Sequence, residues 1–203
     1  MDDAIHVREP DRDDLRTLGG ILARAFRDNP LNVAVIGATP AVRERCNRHG
    51  MRALLPVAQG HGLVRVARRG AKTVGVLVAV PPFAHPLPPP SLGARVRLVW
   101  GQGPRVARGW HRVFRQLDSH HPRDPHWYLG TLGVHPVEQG RGAGTALLGD
   151  FVRLADADGL PSYLETDHER NLPFYERAGF RVETEIRICE TRIWRMLREP
   201  RRA

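Results

Sequence analysis

The sequence predicts one α/β domain of the α+β kind, residues 1–203, with a mixed and mostly antiparallel sheet flanked by helices on both faces. Three observations carry that reading. Runs with strand periodicity, such as Ile5 to Arg8 and Phe180 to Ile188, are interleaved with runs of helical periodicity, such as Asp11 to Phe26 and Gly142 to Ala157. Turn residues lie between them at short intervals, with no internal repeat and no long low-complexity tract. A chain of 203 residues with 41% hydrophobic content suffices for one well-buried core and is short for two.

The elements follow in order. Ile5-His6-Val7-Arg8 alternates and reads as a strand. From Asp11, acids crowd a first helical turn, and Leu15, Leu18, Leu22 and Phe26 share one face until Asn29-Pro30 stops the helix. Thr39-Pro40 looks like an N-cap with proline at the first helical position, and Val42, Cys46 and Ala53 continue an apolar side. Leu63 to Arg68 and Thr73 to Val80, joined by Arg69-Gly70-Ala71-Lys72, read as a hairpin. The proline-rich stretch from Pro81 to Pro90 is too short for a domain linker and reads as a stiff surface loop. Leu92, Val96 and Val99 mark a short helix, interrupted from Gly101 to Pro104, and Trp110, Phe114 and Leu117 mark another.

The second half is more sharply written. Trp127 to Val134 is a strand, Gly142 to Ala157 a helix with Leu147, Phe151 and Leu154 on one face, and Ser162 to Thr166 a short strand. Leu172 to Ala178 is a short helix with Gly179 as its C-terminal cap. Phe180, Val182, Thr184, Ile186 and Ile188 alternate with charged residues, as in a half-buried antiparallel strand, and Thr191 to Leu197 would be its partner.

Composition narrows the function classes. The formal charge is +9, yet Lys72 is the single lysine among 31 basic residues and the arginines are scattered among acids through every segment. Aromatic residues make up 6%, with no basic and aromatic stripe suited to stacking bases, so a nucleic-acid role is disfavoured. No run of about 18 apolar residues indicates a membrane span. Met1-Asp2-Asp3-Ala4 lacks the basic start of a secretion signal, and Cys46 and Cys189 are too few for a disulfide framework. The expectation is a cytoplasmic enzyme or binding domain, with a homodimer left open.

The most informative stretch is Gly133-Val134-His135-Pro136-Val137-Glu138-Gln139-Gly140-Arg141-Gly142-Ala143-Gly144, which runs from a strand into a helix. A pyrophosphate needs several backbone N–H donors at close range with no Cβ in the way. Glycines at the mouth of a helix supply them, and the helix dipole favours the charge. Arg141 could add a cation. The spacing fits neither the dinucleotide fingerprint nor the phosphate loop ending in Gly-Lys-Ser/Thr, and an ordinary tight turn explains an isolated motif of this kind equally well.

A second block follows about 20 residues on: Leu164-Glu165-Thr166, then Arg170-Asn171-Leu172-Pro173-Phe174-Tyr175-Glu176-Arg177-Ala178-Gly179-Phe180. Gln139-x-x-Gly142-x-Gly144 after a strand ending in Val134, followed by Asn171 and Tyr175-x-x-x-Gly179-Phe180, resembles the acetyl-CoA motif and C-terminal signature of the GNAT N-acetyltransferases. The second block is especially similar to the puromycin N-acetyltransferase branch, although Asp167-His168-Glu169 is more charged than that branch suggests. The resemblance implies a GNAT-type domain with acetyl-CoA as cosubstrate. Its pantetheine arm would lie on the main chain of Leu132 and Val134 and its pyrophosphate on Gln139, Gly140, Arg141, Gly142, Ala143 and Gly144, with Asn171 beside it. It also implies Glu165 as general base and Tyr175 as general acid.

The chemistry is consistent with those roles. An attacking amine must lose a proton, the tetrahedral oxyanion needs a donor (a backbone N–H near Val134), and the departing thiolate benefits from an acid. A carboxylate with an ordinary pKa of about 4.3 is a weak base for an ammonium, so Glu165 calls for a raised pKa or a water relay. A phenol is still protonated at neutral pH. Direct attack requires neither cysteine. Singly, Tyr175 reads equally as a half-buried aromatic and Glu165 as a solvated strand residue. His111, His120, His121, His126, His135 and His168 lack zinc-site spacing with paired Cys or acids, so no metal is expected; surface or pocket-lining roles suit them better. No nucleophile elbow supports a serine triad. The expected acceptor is a small-molecule amine. The alternatives are a protein or peptide N-acetyltransferase of the same fold and a non-catalytic acetyl-CoA sensor.

Overall fold

The computed structural model describes residues 4–201. Most of the N-terminal stretch read as unlike a secretion signal, Met1 to Asp3, lies outside the described residues, as do Arg202 and Ala203. Among the described residues, seven strands form one sheet: β1 (Ile5–Arg8), β2 (Leu63–Arg69), β3 (Lys72–Val80), β4 (Trp127–Val134), β5 (Ser162–Thr166), β6 (Arg181–Ile188) and β7 (Thr191–Arg198). Their order is β1-β2-β3-β4-β5-β7-β6, and every neighbouring pair is antiparallel except β4 and β5. The helices are α1 (Arg12–Ala25), α2 (Pro30–Ile36), α3 (Pro40–His61), α4 (Leu92–Gln102), α5 (Pro104–His120), α6 (Ala143–Ala157) and α7 (Leu172–Arg177).

Side-chain alternation along the strands divides the core between two faces. On one, Leu147, Phe151 and Ala155 of α6 and Tyr175 of α7 pack on Leu77, Ala79, Leu129, Val134, Leu164 and Met196. On the other, Leu18 and Leu22 of α1 and Leu55 of α3 cover Val64, Val66, Val76 and Val78. Farther along that second face, Leu31 of α2 and Val113 of α5 meet Ile188 and Ile193. α1 approaches β4 so closely that a Cβ added at Gly133 would lie 2.8 Å from Leu22 Cδ2, which accounts for glycine in mid-strand.

Several expectations are corrected. Asn29-Pro30 does end the reach of the first helix, but Pro30 also opens α2, which the sequence reading did not anticipate. Proline at a first helical position lacks only an N–H that would be unpaired anyway. Leu92 begins α4 as expected, but the break read from Gly101 to Pro104 narrows to Gly103, whose φ of +84° suits glycine, and Pro104 already opens α5. The strand expected to be half-buried, β6, is the sheet edge. Val182 and Thr184 face solvent, because α2 and α5 cover only the far end of the strand, where Ile188 is fully buried.

α2 is held at its start by a residue far away in sequence. Its N-cap, Asn29, makes no side-chain cap. Asp167, just past β5, accepts from the Leu31 N–H at 2.9 Å and from Asn29 Nδ2 at 3.1 Å. The unexpected charge after Thr166 thus satisfies the open N–H groups of a helix that had not been foreseen. Asp167→Ala should lower stability by about 1–2 kcal/mol, measured by urea unfolding, with Asp167→Asn retaining part of the difference.

Candidate active site

The site begins where β4 and β5 part. They pair only at Trp127 with Ser162 and Tyr128 with Tyr163. Beyond that point β4 stays on β3 up to Val134, while β5 stays on β7 up to Thr166. The extra residue is Gly130, where the register between β3 and β4 shifts by one, and a bulge of this kind bends a strand. Backbone groups on a strand alternate in direction. His135 N–H donates to Val74 O of β3 at 2.8 Å, so the polar groups of Val134 and Leu132 point to the opposite edge, into the opening. The side-chain amide of Gln139 closes one of them, donating to Val134 O at 3.1 Å.

The glycine turn sits at the end of this opening. Gly140 has φ +74° and Gly142, the N-cap of α6, has φ +88°. A Cβ at either would meet nothing within 4 Å, so the left-handed backbone, not crowding, requires glycine. Gly142 provides no side chain to cap α6, which leaves the first N–H groups of a 15-residue helix, from Ala143 and Gly144 onward, directed at the opening. Gly144 is different: a Cβ there would sit in ordinary contact with Phe174, Val134 and Leu132 at 3.5–3.8 Å. Arg69 of β2, not anticipated from sequence, braces the turn through Glu138 at 3.2 Å and through Arg141 O at 2.8 Å. Arg141 is itself ion-paired with Glu138 at 3.1 Å, so its charge is partly engaged within the turn. Asn171 donates to Thr166 Oγ1 at 3.3 Å, fixing the turn before α7 to the end of β5.

Glu165 and Tyr175 lie on opposite faces of the sheet. Leu164 belongs to the α6 face, so its neighbour Glu165 points to the other face, together with Tyr163, while Tyr175 packs among the α6-face residues. The Glu165 side chain is 8% exposed. Burial pushes its carboxyl up to about 7 against opposing stabilisation by hydrogen bonds from the Tyr128 and Tyr163 hydroxyls and by the Arg195 charge, with Asp118 adding a smaller upward push. Tyr175 is held protonated, first by burial and then by Asp167, and its ring stands 5.1 Å from Phe174.

Sequence reasoning missed most of the surroundings of Glu165. Arg195 on β7 is its direct cross-strand partner and donates to Tyr163 Oη at 2.9 Å. His121, also 8% exposed, places Nδ1 4.0 Å from Glu165 Oε1. His126 Nε2 is 3.0 Å from His121 Nε2, and the His85 ring stacks on His121 at 3.6 Å. His121 and His126 thus line the site, whereas His120 is exposed against Gln116 O. Their doublet was visible in the sequence; nothing local tied it to Glu165. Among the described residues, no three His, Cys, Asp or Glu side chains are grouped to hold a metal ion.

Two outcomes follow from this geometry. Gly142→Val forces a β-branched residue into left-handed backbone and should destabilise the fold by about 1–3 kcal/mol in urea unfolding. Glu165 retains its proton on folding at pH values where the unfolded chain, with an ordinary carboxyl pKa of about 4.3, has lost it, so its contribution falls as pH rises toward 7. Glu165→Gln should therefore be more stable than wild type at pH 8 by on the order of 2 kcal/mol, with the difference closing below pH 5.

Comparison with known proteins agrees with the topology. Residues 94–180, less than half of the chain, match the Acetyltransferase (GNAT) family. An uncharacterised N-acetyltransferase of Schizosaccharomyces pombe is 39% identical over 83 residues, 38% of this chain, and the match spans only about a third, 34%, of that relative's length. A solved structure described as a histone acetyltransferase and related acetyltransferase, from Corynebacterium glutamicum, superposes with a TM-score of 0.71 at 24% identity over 98% of both chains. A polyamine N-acetyltransferase of Drosophila melanogaster gives 0.67 at 14% identity, covering 97% of this chain and 100% of its own. An N-acetyltransferase of Thermoplasma acidophilum, solved with coenzyme A, gives 0.57 at 14% identity over 97% and 99%. The chain thus shares its fold with these solved acetyltransferases, and its residues 94–180 match the GNAT acetyltransferase family.

Proposed function

We propose that this protein transfers an acetyl group from acetyl-CoA to the primary amine of a small molecule, by direct attack in a ternary complex. The observation that carries the reading is the opening between β4 and β5, with an uncapped helix at one end, a buried carboxyl on one face and a buried phenol on the other. Coenzyme A fits that arrangement. Main-chain groups of Leu132 and Val134 would pair with an amide-bearing arm, and the turn from Gln139 to Gly144, where two backbones are left-handed and no Cβ intervenes, would take the pyrophosphate. Asn171 would border the arm. Bound acetyl-CoA supplies the activated acyl group as a thioester.

Glu165 takes the proton from the ammonium, and the free amine attacks the carbonyl carbon to form the C–N bond. A main-chain N–H at Val134 faces the oxyanion as it forms. As the intermediate collapses and the C–S bond breaks, the second nitrogen proton passes to the departing sulfur, directly or through water, so that amide and thiol form, while Tyr175 donates a hydrogen bond toward sulfur. Its burial keeps the phenol intact as a donor and makes complete loss of its proton costlier than in water, so its main contribution is a hydrogen bond to the departing thiolate.

A small acceptor is favoured over a peptide by the cover on Glu165. His85, from the proline-rich loop, lies on His121, and His121 lies beside the carboxyl, which is 8% exposed. An acceptor amine must enter a covered site. The likeness of the Glu165 and Tyr175 segments to the puromycin N-acetyltransferase branch makes amines flanked by a carbonyl the first candidates. Their lower pKa asks less of a carboxyl base.

Tyr175→Phe should lower turnover by about 10²-fold with little change in acetyl-CoA affinity; full turnover would reduce Tyr175 to packing. The deciding experiment is a pH–rate profile of wild type and Glu165→Gln across aminoacyl amines, polyamines and peptides. Loss should be greatest at low pH and partly recovered at high pH, where solvent deprotonates the amine. Identical profiles, or a preference for peptides, would overturn the assignment.

A further inference from the structure

The imidazoles around Glu165 constrain one another. His126 Nδ1 lies 2.6 Å from Asp124 O. A carbonyl oxygen can only accept, so His126 Nδ1 carries the proton, and in the neutral ring Nε2 is then an acceptor. His121 Nε2 lies 3.0 Å from that acceptor and must donate to it. A neutral His121 is thereby left with a lone pair on Nδ1, the atom 4.0 Å from Glu165 Oε1. The ring is also kept neutral: burial, with His85, His126 and Arg195 nearby, lowers the His121 pKa to about 3.

We propose that His126 and His121 are positioning residues for proton removal: anchored on the Asp124 carbonyl, they hold a fixed acceptor toward Glu165 that receives a hydrogen bond once Glu165 has taken the proton of the acceptor amine. The inference rests on the acetyl-transfer reading for its purpose, but its geometry stands without it. A direct O–H to Nδ1 bond needs closure of about 1 Å, of the kind seen when an apo site tightens around substrate. In the step itself, R–NH3⁺ and the Glu165 carboxylate become R–NH2 and the carboxylic acid, whose hydrogen then points at Nδ1. No proton need pass beyond Glu165, and solvent takes it after the product leaves.

The remaining groups facing Glu165 do not fill this role. Tyr128 on β4 and Tyr163 on β5 donate to the carboxylate and so favour its charged form. Arg195 on β7 does the same by its charge and is itself 3.5 Å from Glu183. Asp118 on α5 opposes charge at Glu165 from a greater distance and sits 3.6 Å from His85 Nε2. The tyrosine hydroxyls can also accept, but each carries a proton that it donates back to the carboxylate, whereas His121 Nδ1 offers a nitrogen lone pair with no proton of its own.

The first test needs no activity. Long-range ¹⁵N–¹H spectra of the free protein at pH 7.5 should show His126 in the Nδ1–H tautomer and His121 in the Nε2–H tautomer. A His121 carrying its proton on Nδ1 would overturn the proposal. The second test is His126→Phe, which leaves Glu165 and its tyrosines in place. Freed from His126, His121 can donate from Nδ1 to the carboxylate, so the Glu165 midpoint, followed by ¹³C carboxyl NMR, should fall by about one pH unit. The acid limb of the pH–rate profile should move with it. A drop in turnover with both midpoints unmoved would mean that His126 only packs. Should the NMR results hold while no amine is acetylated, the acetyl-transfer reading fails and the imidazole arrangement stands.

Discussion

Two parallel strands that separate after two residue pairs leave hydrogen-bonding groups with no strand to satisfy them. Nearly everything else about the site follows from that separation. The bulge at Gly130 turns β4 away, β7 keeps β5 in place, and the main chain of Leu132 and Val134 faces the opening, met there by the Gln139 amide at Val134 O. The same opening gives residues on the two sheet faces access to one point. On the proposed reading, this is how Glu165 and Tyr175, packed in separate layers of the protein, serve a single reacting centre. A continuous sheet would have walled them off from each other.

What was legible in the sequence is what is local. The limits of β1, β4 and β5 could be read residue for residue, because each is a short alternating or apolar run bounded by loop residues. The glycine turn was legible since φ near +74° and +88° at Gly140 and Gly142 can hardly be met by another residue. α2 was not, because seven residues from Pro30 are too few for a periodic signal and its N-terminus is capped by Asp167, 136 positions from Leu31. The burial of β6 was misjudged for a related reason. Alternation shows which residues share a side, but not whether anything covers it.

The candidate site divides in the same way. Glu165 and Tyr175 were found through the block around them, whereas Tyr128, Tyr163, Arg195, His121 and His126 come from four separate segments and meet only in the fold. Arg69 likewise braces the glycine turn from 72 positions away. The residues proposed to do the chemistry stand within one short sequence block, from β5 to α7. Those that set the electrostatics of that chemistry need only reach the right place, from wherever they start. The raised carboxyl pKa of Glu165 is therefore a property of tertiary structure and could not be read from Leu164-Glu165-Thr166.

The bare edge presented by β6 has a consequence for how the molecule behaves in concentrated solution. An unpaired strand can recruit the edge of another copy, and the exposed Val182 would help it to do so. Here Arg181, Glu183, Glu185 and Arg187 line the strand, and Glu185 is clamped by both Arg192 Nε and Nη2 at 2.8 and 2.7 Å. Any incoming strand would have to strip water from charges of both signs. The rim of the sheet thus guards against the polymerisation that open β-structure invites, and single-sign substitutions along it would be the ones to weaken that guard.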